Sequence, residues 1–173
     1  MRFSFSREEL RKAGKFLAGL VVAFFGLSLL AKAIPLEAIE WFVASVALRS
    51  LGLFGVSGTL KAGEPVVMQL TGLQNPVAIS YLCTGLLETL VLVSAILASF
   101  GIPWKERLKG AAGGVLISFI FNIIRIDATI LVIRAQGLGV GELTHDWLFR
   151  IALFLTVAGY YAWWFRRTTS TKA

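Results

Sequence analysis

The stretch SYLCTGLLE, residues 80–88, opens an apolar run and contains the only cysteine of the chain, Cys83. Two other residues suited to thiol chemistry lie at comparable places. Arg125 and the only histidine, His145, each lie near the polar boundary of a later hydrophobic segment. We therefore predict that one side of a membrane brings these three side chains together.

The composition is that of a membrane protein. Hydrophobic residues make up 57% of the 173 residues, and the mean hydropathy is +0.77. A small globule cannot hide that much hydrocarbon from water. The net charge of +7 lies in short clusters beside apolar runs, as expected of charges that orient membrane helices. We predict no nucleic-acid partner.

The pattern predicts an all-α polytopic membrane protein with about four spanning helices in a single integral domain, residues 1–173. Basic residues cluster before the first apolar run, in the loop 101–110 and after the last run. The positive-inside rule places these three stretches, including the N-terminus, in the cytoplasm of a multi-pass cell-membrane protein. The predicted spans are approximately residues 16–34, 81–100, 111–133 and 147–165.

Residues 36–54 are apolar but weaker as a span, because Glu37, Glu40 and Arg49 interrupt them. If this segment crossed the bilayer, residues 56–80 would be cytoplasmic, although they contain little positive charge. We predict an interfacial or re-entrant helix on the outer side, followed by a short extracytoplasmic hairpin or loop. The opposite interpretation would move Cys83 to the cytoplasm.

Helix rise places the three reactive residues at one level. Counting from the cytoplasmic ends, Cys83, Arg125 and His145 lie at about 26, 22 and 31 Å in a hydrocarbon core of about 30 Å. A thiolate is favoured at a helix N-terminus and beside a cation. Cys83 is then the candidate nucleophile, Arg125 the oxyanion stabiliser, and His145 the group that moves the proton.

Each of these residues also has a structural interpretation. A buried cysteine is often a small packing residue, and a lone histidine at an interface is often a surface residue. Arg125 is harder to explain structurally, because arginine inside a span is costly without a cavity or a partner. Four further residues are predicted to support the site or contact substrate: Asn122, one turn before Arg125, and Thr84, Asp127 and Asp146. Asp146 is also four residues from Arg150, the spacing of a helical ion pair.

Metal and cofactor chemistry is disfavoured. One cysteine and one histidine provide too few nitrogen and sulfur ligands for zinc. Phosphate-loop and dinucleotide-binding patterns are absent. We therefore predict neither a metal nor a cofactor.

Taken together, these segments resemble the exosortase/archaeosortase family of membrane cysteine transpeptidases over about residues 50–165. The matching pieces are the glycine-punctuated run from Leu53 to Leu70, Cys83-Thr84-Gly85, Asn122-Ile-Ile-Arg125-Ile126, and His145 just ahead of the last span. The resemblance implies a triad of Cys83, Arg125 and His145 on the extracytoplasmic face. Thr84, where bacterial relatives commonly have serine, points to the archaeal branch. Some archaeal relatives have arginine where this chain has His145.

The resemblance also implies the substrates and partners. These are secreted or surface proteins with a C-terminal signal of short motif, transmembrane helix and basic cluster. The enzyme cleaves the signal through a thioacyl intermediate and transfers the protein to an anchor, in this reading a lipid. The competing hypothesis is a non-enzymatic helical scaffold or carrier in which Arg125 binds an anionic headgroup or solute. An inactive relative that chaperones sorting signals is a third. The absence of duplicated, broken spans of transporter type favours the enzyme.

Overall fold

The computed structural model describes residues 6–143 and 149–170, and most of them are helical. The helices are α1 (Arg7–Ala31), α2 (Leu36–Gly52), α3 (Leu86–Leu97), α4 (Trp104–Gln136), α5 (Leu138–Leu143) and α6 (Phe149–Ser170). The strands are β1 (Gly58–Lys61), β2 (Val66–Leu70) and β3 (Val77–Ile79), and a 3-10 turn covers Tyr81–Cys83.

Among the described residues, α1 and α4 are long and apolar enough to cross a membrane, as judged by length and composition. Helix α1 begins with a capping box, in which Ser6 Oγ accepts from Glu9 N at 3.2 Å and Glu9 Oε2 accepts from Ser6 N at 2.8 Å. None of the residues of α1 is buried against the rest of the protein. The apolar surface of α1 is therefore left for another environment to cover.

The structure does not show the other two predicted spans. Within the predicted span 81–100, α3 has 12 residues and is only about 18 Å long. The left-handed backbone of Gly85, with φ of 70°, separates α3 from the 3-10 turn before it. Helix α6 covers the described part of the predicted span 147–165, but its tyrosines, tryptophans and arginines lower its hydropathy.

Residues 36–54 and 56–80 fold as a helix and a sheet. Helix α2 starts directly after Pro35. The segment predicted as a hairpin or loop is a three-stranded antiparallel sheet in the order β1-β2-β3. Gly58 pairs with Leu70 in the first ladder, and Val66 pairs with Ile79 in the second. A hydrogen bond from Val66 N to Glu40 Oε2, 3.1 Å long, joins the sheet to α2.

Two hydrophobic cores hold these elements together. The sheet-side core joins α2, β2 and the C-terminal half of α4, and it includes Ala47, Leu51, Met68, Ile126 and Ile130. The bundle core joins α3, the N-terminal half of α4 and α6, and it comprises Leu92, Ile96, Ile102, Ala111 and Trp164. The turn Tyr81–Cys83 lies in the chain between the sheet and α3, so its position depends on both cores.

Arg107 holds the end of α3 against the start of α4. Its Nη1 donates to Leu97 O at 2.7 Å, and its Nε donates to Ile102 O at 3.0 Å. The guanidinium also lies 5.0 Å from the ring centre of Trp104. Arg107 comes from the stretch 101–110, which was predicted as a basic loop, and it lies in the first turn of α4. It caps the last turn of α3 as well as contributing charge.

Helices α4 and α6 pack closely because α4 carries glycine at the contact. Tyr160 donates its hydroxyl hydrogen to Gly110 O at 2.9 Å, and a Cβ at Gly110 would collide with the Trp164 indole. At Gly114 a Cβ would come within 3.0 Å of Leu92 on α3. These contacts fix where α6 lies against the bundle core.

Gly110→Ala should therefore destabilise the protein, by about 1–3 kcal/mol, because the added methyl overpacks the contact with Trp164. Gly159→Ala is the matched control, since a Cβ at Gly159 meets nothing within 4 Å and alanine favours the helix by up to about 1 kcal/mol. Thermal unfolding followed by tryptophan fluorescence in detergent micelles measures both variants. Equal unfolding temperatures for the two variants would contradict this packing.

Candidate active site

Helix α4 carries a row of buried polar side chains on one face. Ser118, Asn122, Arg125 and Thr129 follow one another at steps of four, three and four residues, which keeps them on the same side of a helix. All four are buried, and Arg125 is only 3% exposed. The sequence predicted a role for Asn122 and Arg125 but none for Ser118 and Thr129, although their helical spacing is the signal that identifies them.

Asn122 and Arg125 both bind the backbone carbonyl of Cys83. Asn122 Nδ2 donates to Cys83 O at 3.0 Å, and Arg125 Nη2 donates to the same oxygen at 3.2 Å. A guanidinium inside a helix bundle loses its hydration and needs such an acceptor. The two side chains thus clamp the turn that carries Cys83 onto α4, which joins two of the three residues of the predicted triad.

The conformation around Cys83 is set by short-range hydrogen bonds. Cys83 N donates to Ser80 O at 2.7 Å, which closes the 3-10 turn. Thr84 Oγ1 donates to Tyr81 O at 2.7 Å and accepts from Leu86 N at 3.3 Å. Thr84, predicted to support the site or contact substrate, is buried and uses its hydroxyl to shape the turn. The Cys83 Sγ lies 3.6 Å from Ser80 Oγ.

Gly85 is required for this arrangement on two grounds. Its φ of 70° is in the left-handed region, which a side chain disfavours. A Cβ there would also lie 2.9 Å from Asn122 Cγ. Helix α3 starts at the next residue, so Cys83 lies just before the positive end of a 12-residue helix dipole.

Cys83 also lines an apolar cavity of about 270 Å³. One wall is formed by β3 with the preceding Pro76, and the opposite wall by a single face of α4 from Ile126 to Ile133. Helix α5 contributes Leu138 and Gly141. Among the residues that the structure describes, no charged side chain lines the cavity, and such a lining suits uncharged, mainly aliphatic groups.

The remaining predicted residues lie apart from this cavity or outside the described residues. Asp127 is buried, and it is not among the residues that line the cavity. His145 and Asp146 lie outside the described residues, as does the side chain of Arg150. Within residues 6–143 and 149–170, no group of three His, Cys, Asp or Glu side chains is close enough to hold a metal ion.

Comparisons of this chain with protein-family models, with curated proteins and with solved structures give no match. Three features meet at this site. Cys83 lines the cavity and lies just before a helix N-terminus. A guanidinium is bonded to the main chain of the same residue. Arg125 is not among the residues that line the cavity, so its guanidinium acts on this site through the main chain of Cys83.

Gly85→Ala should break the clamp on Cys83. The substitution combines left-handed strain of about 1 kcal/mol with a collision against Asn122 of about 1–3 kcal/mol. Gly55→Ala is the matched control, because Gly55 has a φ of 72° but a Cβ there meets nothing within 4 Å. Thermal unfolding and the rate of Cys83 alkylation by iodoacetamide measure the difference.

Only Gly85→Ala should change the alkylation rate, because only this variant displaces the turn that holds the thiol. The two variants should share the loss of stability that comes from backbone strain alone. If both lose the same stability and keep the wild-type alkylation rate, contact between Gly85 and Asn122 does not position Cys83.

Proposed function

We propose that this protein is a membrane-embedded cysteine transpeptidase of the exosortase/archaeosortase type. One observation carries the proposal: the buried side chains of Asn122 and Arg125 hold the main chain of Cys83 where its thiol faces an apolar cavity. A cysteine used only for packing would need neither the guanidinium nor the cavity. An intramembrane arginine bonded to the residue that carries the thiol is the arrangement expected of a functional site.

The proposed location is the cell membrane, with several crossings and a cytoplasmic N-terminus. Helices α1 and α4 have the length and composition of spans, and many large apolar side chains, such as Val22 at 73% exposure, are uncovered. In this topology α3 with its flanking turns and α6 also cross. The C-terminal half of α4, the sheet and Cys83 then lie at the extracytoplasmic end.

The proposed first half-reaction forms a thioester. The Cys83 thiolate attacks the carbonyl carbon of the scissile peptide bond, and the carbonyl π electrons move to oxygen, where the Arg125 guanidinium stabilises the charge. The tetrahedral intermediate collapses and the C–N bond breaks. The leaving amine takes the proton that the thiol gave up, and His145 carries it between them.

The second half-reaction regenerates the thiolate. An amine of the acceptor attacks the thioester carbonyl and loses one proton to His145, and the C–S bond breaks. The product is an amide between the substrate protein and the acceptor, for which an aminolipid is the proposed identity. Water in place of the amine would give the free carboxylic acid.

The proposed substrates are membrane-anchored surface proteins with a C-terminal motif, a transmembrane helix and a basic cluster. The transmembrane helix of such a substrate would lie in the same bilayer as α1 and α4, and its extracytoplasmic end would be at the level of Cys83. The carrier alternative has less support, because Arg125 donates to the main chain of the residue that carries the thiol, a contact that an anion site does not need. Arg125 is 3% exposed, so in either role its guanidinium would have to turn toward the bound group.

Cys83→Ala should abolish removal of C-terminal transmembrane segments in the source cells, because no other thiol exists in the chain. Mass spectrometry of surface proteins would detect the uncleaved precursors. The variant should accumulate in the membrane to the wild-type level, since alanine leaves the carbonyl that Asn122 and Arg125 bind. Normal processing by Cys83→Ala would exclude the proposed nucleophile.

Arg125→Lys should slow conversion of precursor by about 10²–10³-fold, the cost of losing one oxyanion donor. Lysine keeps the charge but loses the planar donors that bind Cys83 O. Arg134→Lys is the matched control, because Arg134 is exposed near the end of the same helix. Pulse–chase rate constants compare the three proteins, and a wild-type rate for Arg125→Lys would remove Arg125 from the mechanism.

A further inference from the structure

We propose that the substrate binds as an extended strand along the edge of β3 that β2 does not occupy, with an uncharged side chain in the cavity beside Cys83. This proposal rests on the proposed function, since it assigns the peptide that the thiol attacks. It adds a binding mode and a specificity pocket.

The edge of β3 is placed to accept another strand. In the sheet order β1-β2-β3, residues Val66–Met68 of β2 pair with Val77–Ile79 on one side. On the other side, no strand within the described ranges 6–143 and 149–170 pairs with β3. An unpaired edge presents main-chain N–H and C=O groups, which is how many domains bind extended peptides.

The cavity follows this edge. Four consecutive residues, Pro76–Ile79, line it. Neighbouring side chains of a strand point to opposite faces of the sheet, so a cavity on one face would meet only alternate residues. All three residues of β3 line the cavity together with Pro76, as expected if the cavity runs beside the strand edge, where a peptide backbone would lie.

The opposite wall determines what the cavity accepts. Ile126, Thr129, Ile130 and Ile133 come from one face of α4, and the Thr129 hydroxyl already donates to Arg125 O at 2.8 Å. The lining residues in the described part of the chain are all uncharged, so they would strip a charged side chain of its hydration without replacing it. Its 270 Å³ lies below the range of whole-ligand pockets, about 300–1,000 Å³, and fits one or two aliphatic side chains.

Cys83 lines this same cavity, only a few residues after the end of β3 at Ile79. An extended peptide advances about 3.3 Å per residue. A peptide paired with β3 would therefore carry a carbonyl past the thiol close to the residue held in the cavity. A lipid acyl chain would also suit the apolar walls, but it has no amide groups to pair with the strand edge.

Peptidyl chloromethyl ketones of the form acetyl-Ala-X-Ala, applied to the purified full-length protein in nanodiscs, test the proposal. Intact-mass spectrometry measures the second-order rate of Cys83 alkylation. Leucine at X should react at least about tenfold faster than glutamate or lysine, because the cavity excludes charge. N-methylation of the leucine amide should slow the reaction by about tenfold, because it removes a strand hydrogen bond.

Two variants test whether the cavity causes the preference for leucine. Ile133→Trp narrows the cavity and should remove the preference for leucine, whereas Ile124→Trp, at an exposed position of the same helix, should keep it. The peptide series on the wild-type protein decides the question even if Ile133→Trp fails to fold. Iodoacetamide, which has no side chain or strand to bind, reports the reactivity of the thiol alone.

The outcomes separate this proposal from the one on which it rests. If iodoacetamide and all the peptides fail to alkylate Cys83, both proposals are overturned. If iodoacetamide reacts but all the peptides react at one rate, the nucleophile stands and the binding mode is wrong. If leucine is preferred but N-methylation has no effect, an apolar group binds in the cavity without strand pairing, and this also overturns the proposal.

Discussion

The pair of hydrogen bonds from Asn122 and Arg125 to the Cys83 carbonyl is the constraint on which the site depends. A charged guanidinium that is 3% exposed must have a strong acceptor, because an unsatisfied charge inside the protein costs several kcal/mol. The acceptor is main chain, so the peptide backbone at Cys83 has to approach α4 closely. Three features allow the backbone to come this close: the 3-10 turn, the left-handed conformation of Gly85, and the start of α3 only at Leu86.

Sequence patterns predict elements best where local signals bound them. Helix α2 was predicted over residues 36–54 and runs over Leu36–Gly52, because Pro35 precedes it and glycines follow it. The predicted span 111–133 is shorter than α4 at both ends. Hydropathy shows which part of a helix is apolar and does not show where the helix begins and ends. Helix α4 continues from Trp104 through the basic loop to Gln136. At α3 the predicted span was longer than the helix. The cause is local, because a 3-10 turn and the first turn of an α-helix can have the same apolar composition.

Helix rise put Cys83 and Arg125 at nearly one depth, and the structure brings them into contact. The atom that Arg125 binds could not have been predicted, because a sequence does not show which backbone carbonyls lack a partner. The collision between Gly85 and Asn122 depends on how α3 and α4 pack, which no local pattern encodes. The role of His145 stays a prediction. Asp127, predicted to support the site or contact substrate, is buried and is not among the residues that line the cavity.

The bare surface of α1 has a practical consequence. None of its residues is buried, although α1 packs along α3, where Gly19 lies against Phe100 and Ala98. In the proposed membrane, lipid would cover the remaining apolar face of α1, so the environment chosen for purification matters to the fold. A harsh short-chain detergent should release α1 first and leave the clamp around Cys83 in place, whereas a lipid nanodisc preserves both.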